Sequence, residues 1–201
     1  MNVILDYDVG NLDSVIRGFE RVGMDTIVSK DPVIIKQATS LILPGVGAFE
    51  DAMKALKASN LIPLIIDHVK QNKYLFGICL GMQLLYEKSF ENGEFEGLGL
   101  LKGQIEYLKI TEKVPHMGWN NLEFNQPKDP LLKYVKPNDF VYFVHSYYVN
   151  GREEDTIAST NYGVKIPAIV HQGNIYATQF HPEKSGIVGL NLLKAYKELI
   201  Q

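Results

Sequence analysis

The sequence predicts an α/β protein, with a mostly parallel sheet, helices on both faces and additional antiparallel strands in the C-terminal half. Three observations predict it. Short apolar strands alternate with amphipathic helices through the first 90 residues, the pattern of a parallel sheet covered on both sides. Beyond them the texture changes to strand-like runs separated by short turns. Between the two, YLFGICLGMQLLYEK at 74–88 passes from a buried-strand pattern to a helical one with only Cys79 between them.

The elements follow in order. Val3-Ile4-Leu5 is the first strand, closed by the loop 6–11. Leu12, Val15, Ile16, Phe19 and Val22 recur at helical spacing, and Gly23 stops that helix. Thr26-Ile27-Val28 and Leu41-Ile42-Leu43 are the next strands, the latter ending in Pro44-Gly45-Val46-Gly47. Phe49, Ala52, Met53 and Leu56 mark one helix; Leu61, Leu64, Ile65 and Val69 mark another, with Pro63 in its first turn. A helix over 80–86 follows the Cys79 strand. Ligands of such sheets sit at the carboxyl ends of the strands, so the loops at 6–11, 44–49 and 79 can converge. Later, 103–108, 121–124, 140–145, 156–160, 168–171 and 175–180 read as strands, the last two joined by a hairpin at Gln172-Gly173-Asn174. They are expected to extend the same sheet. Leu192, Leu193, Tyr196, Leu199 and Ile200 give a closing helix.

With 201 residues, 46% of them hydrophobic, the chain can bury one good core, and a single domain over 1–201 is expected. A formal charge of −3 gives no sign of a nucleic-acid or anionic-membrane partner. One cysteine cannot make an internal disulfide, so nothing points to secretion. Residues 1–6 run straight into a strand without the basic start and apolar run of a signal peptide. A cytoplasmic protein is the expectation.

Cys79 stands where a strand must reverse into a helix, which holds its side chain out from the sheet in a strained conformation. Gly77 and Gly81 remove side chains that would collide with such a turn, the logic of the G-x-S-x-G elbow with sulfur for oxygen. A lone cysteine is more often a small core hydrophobe, and the two glycines argue against that here. A thiol nucleophile needs a base and a group to orient it. His181 follows a strand and opens His181-Pro182-Glu183, so Glu183 can reach the imidazole and hold its tautomer. Of the other histidines, His68 is placed on the polar side of a helix and His171 at a turn, both as surface residues. His116 falls in a loop, and His145 ends an apolar strand as a hydrogen-bonded core residue. Acyl transfer also needs amides aimed at the oxyanion. Leu80, just after the cysteine, supplies one, and the glycine-rich exit around Val46 is the natural second source.

PGVGAF (44–49), GICLGMQLL (77–85) and QFHPEKS (179–185), in that order, resemble the class I (triad) glutamine amidotransferases almost end to end. The resemblance implies a flavodoxin-like fold and hydrolysis of the glutamine side-chain amide, with no cofactor and no metal. Cys79 would attack the amide carbon, His181 oriented by Glu183 would carry protons, and a glutamyl thioester would be hydrolysed. Gln83 would hold the substrate glutamine, with the backbone of Gly47, Ser146 and Tyr147 at its amino-acid end. GNLDSV (10–15), PHMGWN (115–120) and YFVHSYY (142–148) narrow the resemblance to glutaminases of histidine biosynthesis. These pass ammonia to a (β/α)8-barrel cyclase subunit, and Asn11, Trp119 and Lys184 would lie on the docking face. One departure is Asp8, where family members commonly carry Gly. Two alternatives stay open: a paralogous glutaminase feeding a sugar amidotransferase, and a catalytically silent interaction module. The complete set Cys79, His181 and Glu183 counts against the second.

Overall fold

The computed structural model describes residues 1–201. Its first half alternates β1 (Asn2–Leu5), α1 (Leu12–Arg21), β2 (Thr26–Ser29), α2 (Pro32–Gln37), β3 (Ser40–Leu43), α3 (Phe49–Ala58), α4 (Leu61–Lys70), β4 (Tyr74–Ile78) and α5 (Leu80–Leu84). Successive strand side chains point to opposite faces, and both faces here are buried. Leu5, Leu43 and Leu75 pack under α3 and α4, while Ile4, Ile42 and Phe76 pack on the other side with Phe19 and Tyr196. That is why these strands are apolar at every position rather than at every second one. The Asn11 side chain accepts a hydrogen bond from the Ser14 amide at 3.3 Å and caps α1, and Gly23, at φ +69°, follows its end.

The second half contains β5 (Lys88–Ser89), β6 (Phe95–Glu96), β7 (Gly103–Tyr107), β8 (His116–Asn121), β9 (Glu123–Phe124), β10 (Phe140–His145), β11 (Tyr147–Gly151), β12 (Thr156–Tyr162), β13 (Val164–Gln172), β14 (Ile175–Thr178) and α6 (Gly186–Leu199). The main sheet has eight strands in the order β2-β1-β3-β4-β14-β13-β12-β9. β14 pairs with β4 in parallel, Ile175 opposite Leu75 and Thr178 opposite Ile78. The two strands therefore finish side by side at one edge. β13 pairs antiparallel with β14 across the expected hairpin.

The expectation that the later strands all extend this sheet is corrected. β11, β7, β5 and β6 form a separate four-stranded sheet, and β10 with β8 a two-stranded ribbon. The segment containing His116, expected as a loop, is β8: its residues pair with β10 in register from His116–His145 to Asn121–Phe140. Gly118, at φ +136°, and a run without apolar alternation hid it. The 121–124 run is two strands, with buried Leu122 between the end of the ribbon and the edge of the main sheet. α5 stops at Leu84 rather than at 86. No helix is long and apolar enough to cross a membrane.

Candidate active site

Cys79 has φ +55° and ψ −111°, a region that non-glycine residues occupy only under constraint. The constraint is tight packing. A Cβ on Gly77 would lie 3.0 Å from the Gly81 carbonyl oxygen and from Met82 backbone atoms, and one on Gly81 only 1.9 Å from the Leu43 carbonyl oxygen. The second glycine is therefore required by the neighbouring strand β3, not by the turn alone.

The β4–β14 register delivers the candidate base. Cys79 directly follows Ile78, and His181 lies three residues past Thr178 on the adjacent strand. Cys79 and His181 line the same cavity of about 290 Å³. His181 Nδ1 is 2.8 Å from Glu183 Oε1, with the two side chains only 4% and 2% exposed. The carboxylate accepts a hydrogen bond from Nδ1–H, which leaves Nε2 for the thiol. Burial opposes a charge on this ring, but hydrogen bonds and charge from Cys79 and Glu183 outweigh it and push its pKa up to about 9. The ring is thus protonated at neutral pH, beside the sulfur.

The oxyanion candidates share that cavity: Val46 and Leu80 both line it. As the first residue of α5, Leu80 has an amide without an intrahelical partner. Upstream, the loop is pinned: the Tyr7 hydroxyl donates to the Pro44 carbonyl, and a Cβ on Gly45 would sit 2.8 Å from the Gly81 nitrogen. Downstream it is open, because Val46 is exposed and Gly47 is at φ +88° with nothing near its Cβ position.

Gly47, Gln83, Ser146 and Tyr147 also line the cavity. Gln83 is buried, and its Nε2 donates to the Tyr147 carbonyl at 2.9 Å and to Gln179 Oε1 at 3.0 Å. Both amide protons are engaged inside the protein, so its carbonyl oxygen is what it offers a ligand. Sequence reasoning missed Glu91, Val144 and His145, which complete the lining. Glu91 is half-buried; its Oε2 accepts the first amide of α3, from Phe49, at 2.8 Å, and burial raises its pKa. A lone acid in a polar turn carries no signal of this in the sequence.

Two histidine expectations are corrected. His68 is buried, its Nε2 3.0 Å from the Tyr74 carbonyl, and burial lowers its pKa to about 4. His171 is half-buried, bonded to the Asp129 carboxylate at 2.8 Å and stacked on Tyr176. His145 is the expected bonded core histidine, donating from Nδ1 to the Tyr147 carbonyl at 2.9 Å.

Asn11, Trp119 and Lys184 are exposed at the same end of the sheet. Trp119 lies edge-on to Tyr142, and its ring reaches to 3.9 Å from the Cβ position of Gly186, close to Lys184. Asn11 shares a small crevice with His181 and Glu183.

The family model for class-I glutamine amidotransferases matches residues 3–193. The chain belongs to that family. Among class-I glutamine amidotransferases, it is 51% identical to "Imidazole glycerol phosphate synthase subunit HisH" of Oceanobacillus iheyensis over 202 residues, covering 100% of each chain. The protein of the same name from Bacillus subtilis is 48% identical over 203 residues, covering 98% of this chain and 95% of that one. Among solved structures, a glutamine amidotransferase superposes with a TM-score of 0.76 at 20% identity, over 98% of this chain and 97% of that one. The glutaminase domain of Trypanosoma brucei CTPS with bound acivicin gives 0.68 at 16% identity, over 98% and 94%. These two establish the flavodoxin-like fold.

Proposed function

We propose that this chain is the glutaminase subunit of an imidazole glycerol phosphate synthase, a single cytoplasmic domain working beside a (β/α)8-barrel cyclase. The observation that carries the chemistry is a strained elbow cysteine sharing one cavity with a histidine bonded to a buried carboxylate. The full-length identity of 51% to a protein of that name carries the partner.

Glutamine's ammonium group faces the Glu91 carboxylate and the Gln83 oxygen, and its side-chain amide lies over the sulfur. The Cys79 thiolate attacks the amide carbon, and the amides of Leu80 and Val46 receive the oxyanion. Imidazolium His181 protonates the leaving nitrogen, the C–N bond breaks, and ammonia departs from a glutamyl thioester. Acylation removes the sulfur's negative charge, one of the two influences that hold the ring protonated. Neutral His181 then takes a proton from water, which attacks the thioester and releases glutamate and thiolate. Ammonia passes to the cyclase, which makes imidazole glycerol phosphate and aminoimidazole-carboxamide ribotide. Docking falls to the end of the sheet that exposes Asn11, Trp119 and Lys184, where Met117, Phe140 and Ile187 add exposed apolar surface.

Cys79→Ala tests this reading in the complex. Glutamine-dependent synthesis falls by a factor on the order of 10⁴ or more, while synthesis from ammonium salt persists. Loss of both activities would assign Cys79 a structural role instead.

A further inference from the structure

A line of hydrogen bonds through the interior ends on the sulfur of Cys79. Gln179 is fully buried; its Oε1 accepts from Gln83 Nε2 at 3.0 Å, and its Nε2 lies 3.9 Å from Cys79 Sγ. Gln83 Nε2 also donates to the Tyr147 carbonyl at 2.9 Å. That carbonyl takes a second bond from His145 Nδ1 at 2.9 Å. His145 Nε2 meets His116 Nδ1 at 2.9 Å, and His116 Nε2 meets Asn120 Nδ2 at 3.3 Å.

The Tyr147 carbonyl can only accept, and it sets the sense of every bond on both sides. Toward the ribbon, His145 must carry its proton on Nδ1, so Nε2 accepts from His116 Nδ1–H, and His116 Nε2 accepts from Asn120. Both rings are kept neutral by burial, as this pattern requires. The Asn120 amide is itself oriented, donating to the Asn161 carbonyl and accepting from the Asn121 amide. Toward the site, Gln83 must turn its NH2 to Tyr147 and thereby to Gln179 Oε1. Gln179 is left with its NH2 toward sulfur. Amide orientation is usually ambiguous between oxygen and nitrogen; here the network decides it.

We propose that Gln179 is a positioning residue for the glutaminase reaction, its buried amide donating to Cys79 Sγ and holding the sulfur at the cavity that His181 also lines. A donor aimed at sulfur favours the thiolate over both the thiol and the thioester. It therefore supports the attacking species and the leaving group of deacylation. The inference rests on Cys79 being the nucleophile.

The test uses Gln179→Met, close in size but without a donor, in the full chain bound to its cyclase. Cys79 is alkylated with iodoacetamide across a pH series, and glutaminase kcat and KM are measured in parallel. The alkylation midpoint is expected to rise by about half a unit or more, and kcat to fall on the order of tenfold with KM within about threefold, as for a lost hydrogen bond to a charged group. An unchanged midpoint and kcat in a folded variant overturns the proposal. If the variant does not fold, the unsubstituted protein is labelled with ¹⁵N-glutamine, and the Gln179 side-chain amide is followed as Cys79 is alkylated. A shift in its proton resonances supports the contact; a stationary signal overturns it. Alkylated protein that still hydrolyses glutamine would overturn the nucleophile reading itself, whereas a silent Gln179→Met in a protein that alkylation inactivates overturns this inference alone.

Discussion

His181 and the His116–His145 pair are buried to similar depth, with His116 and His181 3% and His145 7% exposed, yet one is charged and the other two are neutral. In the turn after β14, a carboxylate and a sulfur outweigh desolvation and hold His181 protonated up to about 9. In the ribbon, burial pushes His116 down to about 4 and His145 to about 3, with no carboxylate at hand to oppose it. Burial sets the cost of an imidazolium; neighbours decide whether it forms. One end of the sheet thus holds one ring that carries charge and, beside it, two that stay uncharged.

Glu183→Gln is the harshest way to break this contrast. Without the carboxylate the His181 ring titrates well below 9 and loses its fixed tautomer, and kcat falls by about 10³ to 10⁴. Ring NMR titration together with steady-state glutaminase assays checks both; a ring still titrating near 9 would show that sulfur alone holds the charge. His116→Phe probes the other region. It keeps the stack between Phe143 and Tyr162 but leaves His145 Nε2 without its donor, which costs about 1–3 kcal/mol, read from urea unfolding.

The pH profile sharpens the contrast further. The folded-state pKa of His181 is raised above its ordinary 6.5, so its contribution to stability is complete below about 6.5 and is lost as pH rises through 9. His68, His116 and His145 are depressed, so their contribution is complete above about 6.5 and is lost as pH falls toward 4 and below. Unfolding free energies measured from pH 4 to 10 should decline at both ends. A flat acid limb would mean the three rings titrate alike in the folded and unfolded chain. Asp8→Gly is the smallest change: Asp8 sits at φ +63°, and its side chain makes an exposed pairing to Lys30 at 3.9 Å. Relieving the backbone should shift stability by no more than about 1 kcal/mol and leave both sets of histidine titrations unmoved.

Legibility in the sequence divides along the same line. The parallel half was readable because each buried strand is short and wholly apolar and each helix repeats at its own period, so local pattern and final environment agree. Cys79, His181 and Glu183 were readable because each lies beside a strand end, with glycine or proline marking the turn. The ribbon was not. His116, Met117, Gly118, Trp119 and Asn120 show no alternation, since one face packs polar rings inside and the other exposes a tryptophan. Glu91 and Gln179 were equally silent, because their importance comes from groups about 40 to 100 positions away, Phe49 and Cys79. His68 failed for the converse reason: the polar flank on which it sits is covered by the Tyr74 backbone.

The insertion of the last strand beside β4 has a consequence for the life of the polypeptide. Thiol and imidazole are drawn from positions 79 and 181, and only that late pairing sets them against each other. A chain still emerging from the ribosome, or clipped before residue 175, holds the thiol but not the imidazole. On the proposed mechanism it cannot waste glutamine. Hydrolytic competence then waits for the late strand to take its place.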